Sequence, residues 1–219
     1  LEAEMKDVTV FRNATRVSKA GLLSQTLDLQ GFVDFAEINS GAADSVDKAH
    51  FTNVGIDTPL ISVLPDGAIE GSMAYLGEWT YASYAPGGQV GDLLAFTVKA
   101  SSRGSRLTRG YVMNNALTPV TATGTSTKQV LGAITALQRG VAHLHVVAFN
   151  GTSLDVLLES DANGTAGGET TRATFTQATG VTSERKTVAG AVTDTYWRLN
   201  YTFVGTSVTF LVTFGTESL

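Results

Sequence analysis

Trp197-Arg-Leu-Asn-Tyr-Thr-Phe203-Val-Gly205-Thr-Ser-Val208-Thr-Phe-Leu-Val-Thr-Phe214 is the stretch that decides the fold class. Trp197, Leu199, Tyr201 and Phe203 alternate with Arg198, Asn200 and Thr202. Beyond Gly205–Thr206–Ser207, Val208, Phe210, Val212 and Phe214 alternate with Thr209, Leu211 and Thr213. A period of two sends successive side chains to opposite faces of a strand, so each run is a half-buried β-strand. The Gly-Thr-Ser between them reads as a hairpin turn. The same period recurs upstream: Leu154, Val156 and Leu158 against Asp155 and Glu159, and Leu94, Phe96, Val98 and Ala100 against Ala95, Thr97 and Lys99. In 106–113, Leu107, Arg109, Tyr111 and Met113 alternate with Arg106, Thr108 and Val112, and Ser101–Ser105 reads as a second hairpin loop. Only Asp44–Phe51, preceded by Asn39–Ser40–Gly41, reads as a helix, with Val46, Ala49 and Phe51 toward a sheet. The expected fold is mainly β: a sandwich or barrel with one flanking helix, followed by a second all-β sandwich of jelly-roll or Ig-like type.

Composition narrows the chemistry. The 219 residues are 43% hydrophobic and 16% charged, with a net charge of −5, three His and no Cys. Without Cys there is no disulfide, thiolate nucleophile or cysteine-held metal cluster. A negative balance argues against a surface built to grip phosphate. No run reaches the ~18 apolar residues of a membrane helix, since the best, Val141–Phe149, contains His143 and His145; no membrane insertion is expected. LEAEMKDVTV has no basic stretch followed by an apolar one, so no signal peptide is read. Met5 is taken as the natural start, and the Asn-x-Thr triplets at Asn13, Asn150, Asn163 and Asn200 as turn chemistry. Of the threonines, 8 lie in residues 1–117 and 22 in 118–219. Three segments follow: a β domain with one helix over 1–117, a Thr-rich linker or loop over 118–127, and an all-β domain over 128–219, some of whose strands complete the first.

Candidate sites are few. His143 and His145 share a strand face opposite Ala142, Leu144, Val146 and Ala148. With no third ligand near in sequence they read as a solvent- or subunit-facing pair, not a metal centre. Glu159, Asp161 and Glu169 have the look of a calcium loop but fall short of the six to eight oxygens such an ion takes; Asp161–Ala–Asn–Gly164 reads as a plain turn. There is no Gly-x-Ser-x-Gly elbow and no phosphate loop, so no enzyme activity and no cofactor are expected. Arg103, Arg106 and Arg109 form a basic cluster suited to bridging subunits. Trp79, in an aromatic group read first as a core corner, and Tyr196 are the aromatics a glycan-binding surface would use.

Ala85-Pro-Gly-Gly-Gln-Val-Gly-Asp-Leu-Leu-Ala-Phe-Thr-Val98 resembles a segment of the major tail tube proteins of long-tailed bacteriophages. Arg172–Thr176 followed by Thr187–Arg198, the opening Met5–Val10, the region 44–54 and Ile61–Asp66 are similar to the same family, so the likeness runs along most of the chain. The resemblance implies a tail-tube-like domain of packed β-sheets with a flanking helix, assembled into hexameric rings that stack into a tube for DNA ejection. Its partners would be further copies of itself, other tail proteins and double-stranded DNA in non-specific passage; its place would be the virion tail, after assembly in the host cytoplasm. The tube lumen would be electronegative, and residues 1–117 carry 13 acidic against 9 basic groups. Alternative readings are another virion component, such as a head decoration or tail-tip protein, and a carbohydrate-binding β-sandwich contacting the host surface.

Overall fold

The computed structural model describes residues 2–7, 18–33, 46–56, 60–88, 93–165 and 167–219. The chain divides into two compact units, one made of Leu1–Pro59 and Glu78–Leu107, the other of Leu60–Gly77 and Thr108–Leu219. The division falls at 107/108, before the Thr-rich stretch, and residues 60–77 join the C-terminal unit. Apart from a separate pair, β1 (Glu2–Asp7) with β2 (Ser18–Ser24), the named strands belong to one large antiparallel sheet.

In the N-terminal unit, β3 (Thr26–Phe32) pairs with β6 (Ala95–Ser102), and β6 with the Trp79–Gly87 part of β5 (Met73–Gly87). Phe96, Val98 and Ala100 are buried, as the alternation in 94–100 predicts. The helix α1 is Val46–Phe51; residues 39–45 of the expected start lie outside the described residues. Of the three residues expected to face the sheet only Val46 is half-buried, and His50 makes the ring contacts. The His50 ring lies 4.7 Å from that of Phe96 and 5.9 Å from those of Tyr81 and Tyr84, and the Tyr84 hydroxyl donates to Asp47 Oδ1 at 2.8 Å. Ala49 is exposed and Phe51 is 69% exposed.

The C-terminal unit is organised by two very long strands, β10 (Gln138–Asp161) and β13 (Tyr196–Ser218), paired antiparallel from Gln138↔Ser218 to Asp161↔Tyr196. The expected C-terminal hairpin is therefore absent. Residues 197–203 pair with 154–160 and residues 208–214 with 142–149, so the two halves of β13 meet β10, not each other. The ladder is nonetheless folded over. Seventeen residues of extended strand span about 55 Å, yet the rings of Trp197 and Phe214 sit 4.6 Å apart. The bend lies where Gly151 pairs with Gly205, flanked by register shifts from Val146 to Ser153. A Cβ on Gly151 would come within 2.7 Å of Phe203 Cε2 and of Val204 O, and one on Gly205 would collide with the Gly151 backbone. Only glycine lets the two chains approach this closely.

Ala142, Leu144, Val146, Leu154, Val156, Leu158, Trp197, Leu199, Phe203, Phe210, Val212 and Phe214 fill the concave side as one core. A smaller core on the other face joins Ala74, Leu76, Val112, Val141 and Leu211. Along 106–113 it is Thr108, Gly110 and Val112 that are buried, together with Met113. The face carrying Arg109 is the outer one. Ser101–Ser105 is no hairpin either: β7 (Thr108–Val112) pairs with Met73–Leu76 of β5 and with β13, and β6 with later residues of β5. Residues 118–127, expected as a linker or loop, are laid along β13. Val120 exchanges backbone bonds with Val208, Thr123 Oγ1 accepts from Phe203 N, and β8 (Gly124–Thr125) pairs with Asn200 and Tyr201. Threonine suits this position because its branched chain favours extended backbone while its hydroxyl bonds the neighbouring strand.

Candidate functional site

The edge of the N-terminal unit is the feature with the most chemistry left open. β3 ends the sheet, with no further strand on its outer side among the described residues. It has no fully buried residue: Leu27 and Leu29 are half-buried, and Asp28 and Gln30 are exposed. At one end of the β3–β6 ladder, Phe32 is 62% and Leu93 74% exposed, adjoining the bond from Val33 N to Leu94 O. An edge strand offers a row of backbone donors and acceptors, and here an apolar border runs beside it.

Arg103, Arg106 and Arg109 are all exposed. Arg103 N bonds Glu78 O at 3.0 Å in the N-terminal unit, and Arg109 stands on β7 of the C-terminal unit.

His143 corrects the reading of a solvent- or subunit-facing pair. It is 1% exposed, covered within its own chain by β4 (Leu60–Val63). Ser62 Oγ of that strand lies 3.4 Å from His143 Nδ1, 2.9 Å from His145 Nε2 and 3.0 Å from Thr213 Oγ1; His145 Nδ1 meets Ser183 Oγ at 3.0 Å. Burial, with the neighbouring His145 and Arg185, holds His143 down at about 3, and burial holds His145 at about 4. Both rings are neutral at pH 7. Ser62 and His145 are spaced like a nucleophile and its base, but Ser183, not a carboxylate, orients the ring, and so acidic an imidazolium marks a weak base.

The loop with calcium-like residues holds a cation of the protein's own. The Lys128 ammonium bonds Asp161 Oδ2 and Thr165 O and lies 3.1 Å from Glu169 Oε1. Arg198 bridges Glu169 and Glu159, each at 2.9 Å, and Asn200 donates to Glu159 Oε1. Asp161 is held below the usual carboxylate range chiefly by its bond to Lys128. Glu169 is held low by backbone hydrogen bonding first and then by Lys128. Lys128 stands 33 residues before Asp161 and carries no local motif, which is why sequence reading did not place it there.

Trp79 is 2% exposed, a core position and not a glycan platform. Tyr196 is half-buried at the start of β13, its ring beside Gly164. Among the described residues no group of three or more His, Asp or Glu is placed to hold a metal ion, and no helix is long and apolar enough to cross a membrane. Comparison with protein-family models, with curated proteins and with solved structures found no match to this chain.

Proposed function

We propose that the chain is a self-assembling structural subunit, a tail tube protein of a long-tailed phage, whose copies join edge to edge into stacked rings, hexameric by the family resemblance. The observation that carries this reading is the β3 edge with its apolar border at Phe32 and Leu93. Such an edge on a free monomer is an aggregation liability, and closed cyclic pairing turns it into a self-limiting contact. The N-terminal unit would be the tube-forming β domain with α1 on its flank, and the folded-over C-terminal unit a β-sandwich. The excess of acidic groups in residues 1–117 suits a channel through which DNA passes without adhering.

Electron microscopy of the purified chain at increasing concentration tests the reading. Rings or tubes with an open channel are the expected result, and Phe32→Ser with Leu93→Ser should leave single subunits. A species that stays monomeric in light scattering at every concentration, with wild-type edge residues, would overturn it.

A further inference from the structure

Residues 161–165, which read from sequence as a plain turn, carry a reactive pair that assembly into a tube does not use. The chain has two Asn-Gly pairs, Asn150–Gly151 and Asn163–Gly164. Glycine after asparagine matters because, without a Cβ, its backbone nitrogen swings most freely toward the asparagine side chain. Both asparagines are exposed, but the fold treats them differently.

Asn150 belongs to β10 and pairs with Ser207, while Gly151 packs on Gly205 in the bend. Bringing the Gly151 nitrogen onto the Asn150 carboxamide requires the ladder to open there. Asn163 lies outside any helix or strand, in a run of exposed bends. Its Oδ1 accepts from Thr165 N at 3.0 Å and from Thr165 Oγ1 at 2.5 Å. The first of these bonds closes a ring of atoms that contains both Asn163 Cγ and Gly164 N. Two donors on one carbonyl oxygen leave Cγ electron-poor, and they sit where negative charge grows when a nucleophile adds to it. The turn is anchored on its other side. Asn163 N donates to Asp161 Oδ1 at 3.2 Å, and the Lys128 ammonium reaches Thr165 O and, at 3.4 Å, Asn163 O.

We propose that Asn163 is a site of spontaneous deamidation, with Gly164 supplying the nucleophile and Thr165 the stabilising donors. The Gly164 nitrogen gives its proton to hydroxide and bonds to Asn163 Cγ. The Cγ–Nδ2 bond breaks, and the side-chain nitrogen takes a proton from water and leaves as ammonia. Water then opens the resulting succinimide at either carbonyl, giving aspartate or isoaspartate. The product adds one negative charge to a net charge of −5, on the loop that already holds Asp161 and Glu169 around Lys128. Neither the edge of the N-terminal unit nor the association of copies enters this chemistry.

The test is incubation of the full chain for several weeks at 37 °C and pH 8. Peptide mass spectrometry and isoaspartate-specific methylation follow both pairs, with the chain unfolded in urea as the reference. In the folded chain residue 163 should convert at least about tenfold faster than residue 150, which waits on strand opening. In urea the two rates should converge. Thr165→Val, at an exposed position, should slow conversion at 163 about threefold, as expected for loss of one neutral donor, and leave 150 unchanged. The proposal is overturned if Asn163 keeps its amide, if Asn150 converts as fast in the folded chain, or if Thr165→Val leaves the rate at 163 as it was.

Discussion

The two units use the same strand pattern to opposite ends. In the C-terminal unit the alternating faces of β10 and β13 close over a core of Trp, Phe, Leu and Val, and a second core forms on the reverse face. In the N-terminal unit the alternation of β6 also buries Phe96, Val98 and Ala100, but β3 beside it ends half-covered, with an aromatic in solvent. Both clusters of buried core residues among the described residues lie in the C-terminal unit. Amphipathic strands alone do not complete a domain. What separates the two is whether the sheet turns back on itself, which depends on the glycine bend at 151 and 205.

That contrast is most severely broken at the bend. Gly205→Val drives a branched side chain into the Gly151 backbone; soluble chain with native circular dichroism should be lost, at a cost above about 4 kcal/mol. Trp197→Ala follows. It empties a site packed on Phe214, removes the bond from Nε1 to Gly132 O (2.8 Å), and should cost roughly 3–5 kcal/mol in denaturant unfolding. A third effect depends on pH. The imidazoles at 143 and 145 titrate at about 3 and 4 when folded, against 6.5 for a free ring. The unfolded chain therefore takes up protons first as pH falls, and stability, complete above about pH 6.5, declines until about pH 3. Between pH 7 and 5 the loss should be roughly 2 kcal/mol for each ring, about 4 for the pair. The double variant His143→Gln/His145→Gln should flatten that slope; an unchanged slope would place the titration elsewhere. Least costly to the subunit is Phe32→Ser, an exposed site where thermal stability should change by no more than about 0.5 kcal/mol. Its effect should appear in sedimentation as lost association, sharpening the difference between a unit completed internally and one that is not.

Strand content and the faces of 94–100, 154–158 and 197–214 were legible because period two reports burial directly. The pairing was not. Gly205–Thr206–Ser207 has the composition of a hairpin turn, and nothing local distinguishes it from a bend in a strand whose partner lies some 50 residues upstream. One signal was present: core-facing positions are odd-numbered up to Phe203 and even-numbered from Val208, the phase slip a bulged strand requires. His143 was misread because its cover, Leu60–Val63, comes 80 residues earlier in the chain. Trp79 and Phe51 were ambiguous for a related reason. An aromatic beside a turn is equally at home in a core corner or on the surface, and only the packing around it decides.

The length of β13 has a consequence for the order of events during synthesis. Residues 196–218 form the spine that β7, β8, β9 (Gln129–Val130) and β10 all pair with, and those strands leave the ribosome before it. Until 196–218 has been made, 138–161 can pair only with the short strands 170–174 and 182–189, and the ladder that runs its whole length is missing. The C-terminal unit is therefore completed from its end, with the short pairings in place before the spine. Its full-length ladder closes only with the last strand.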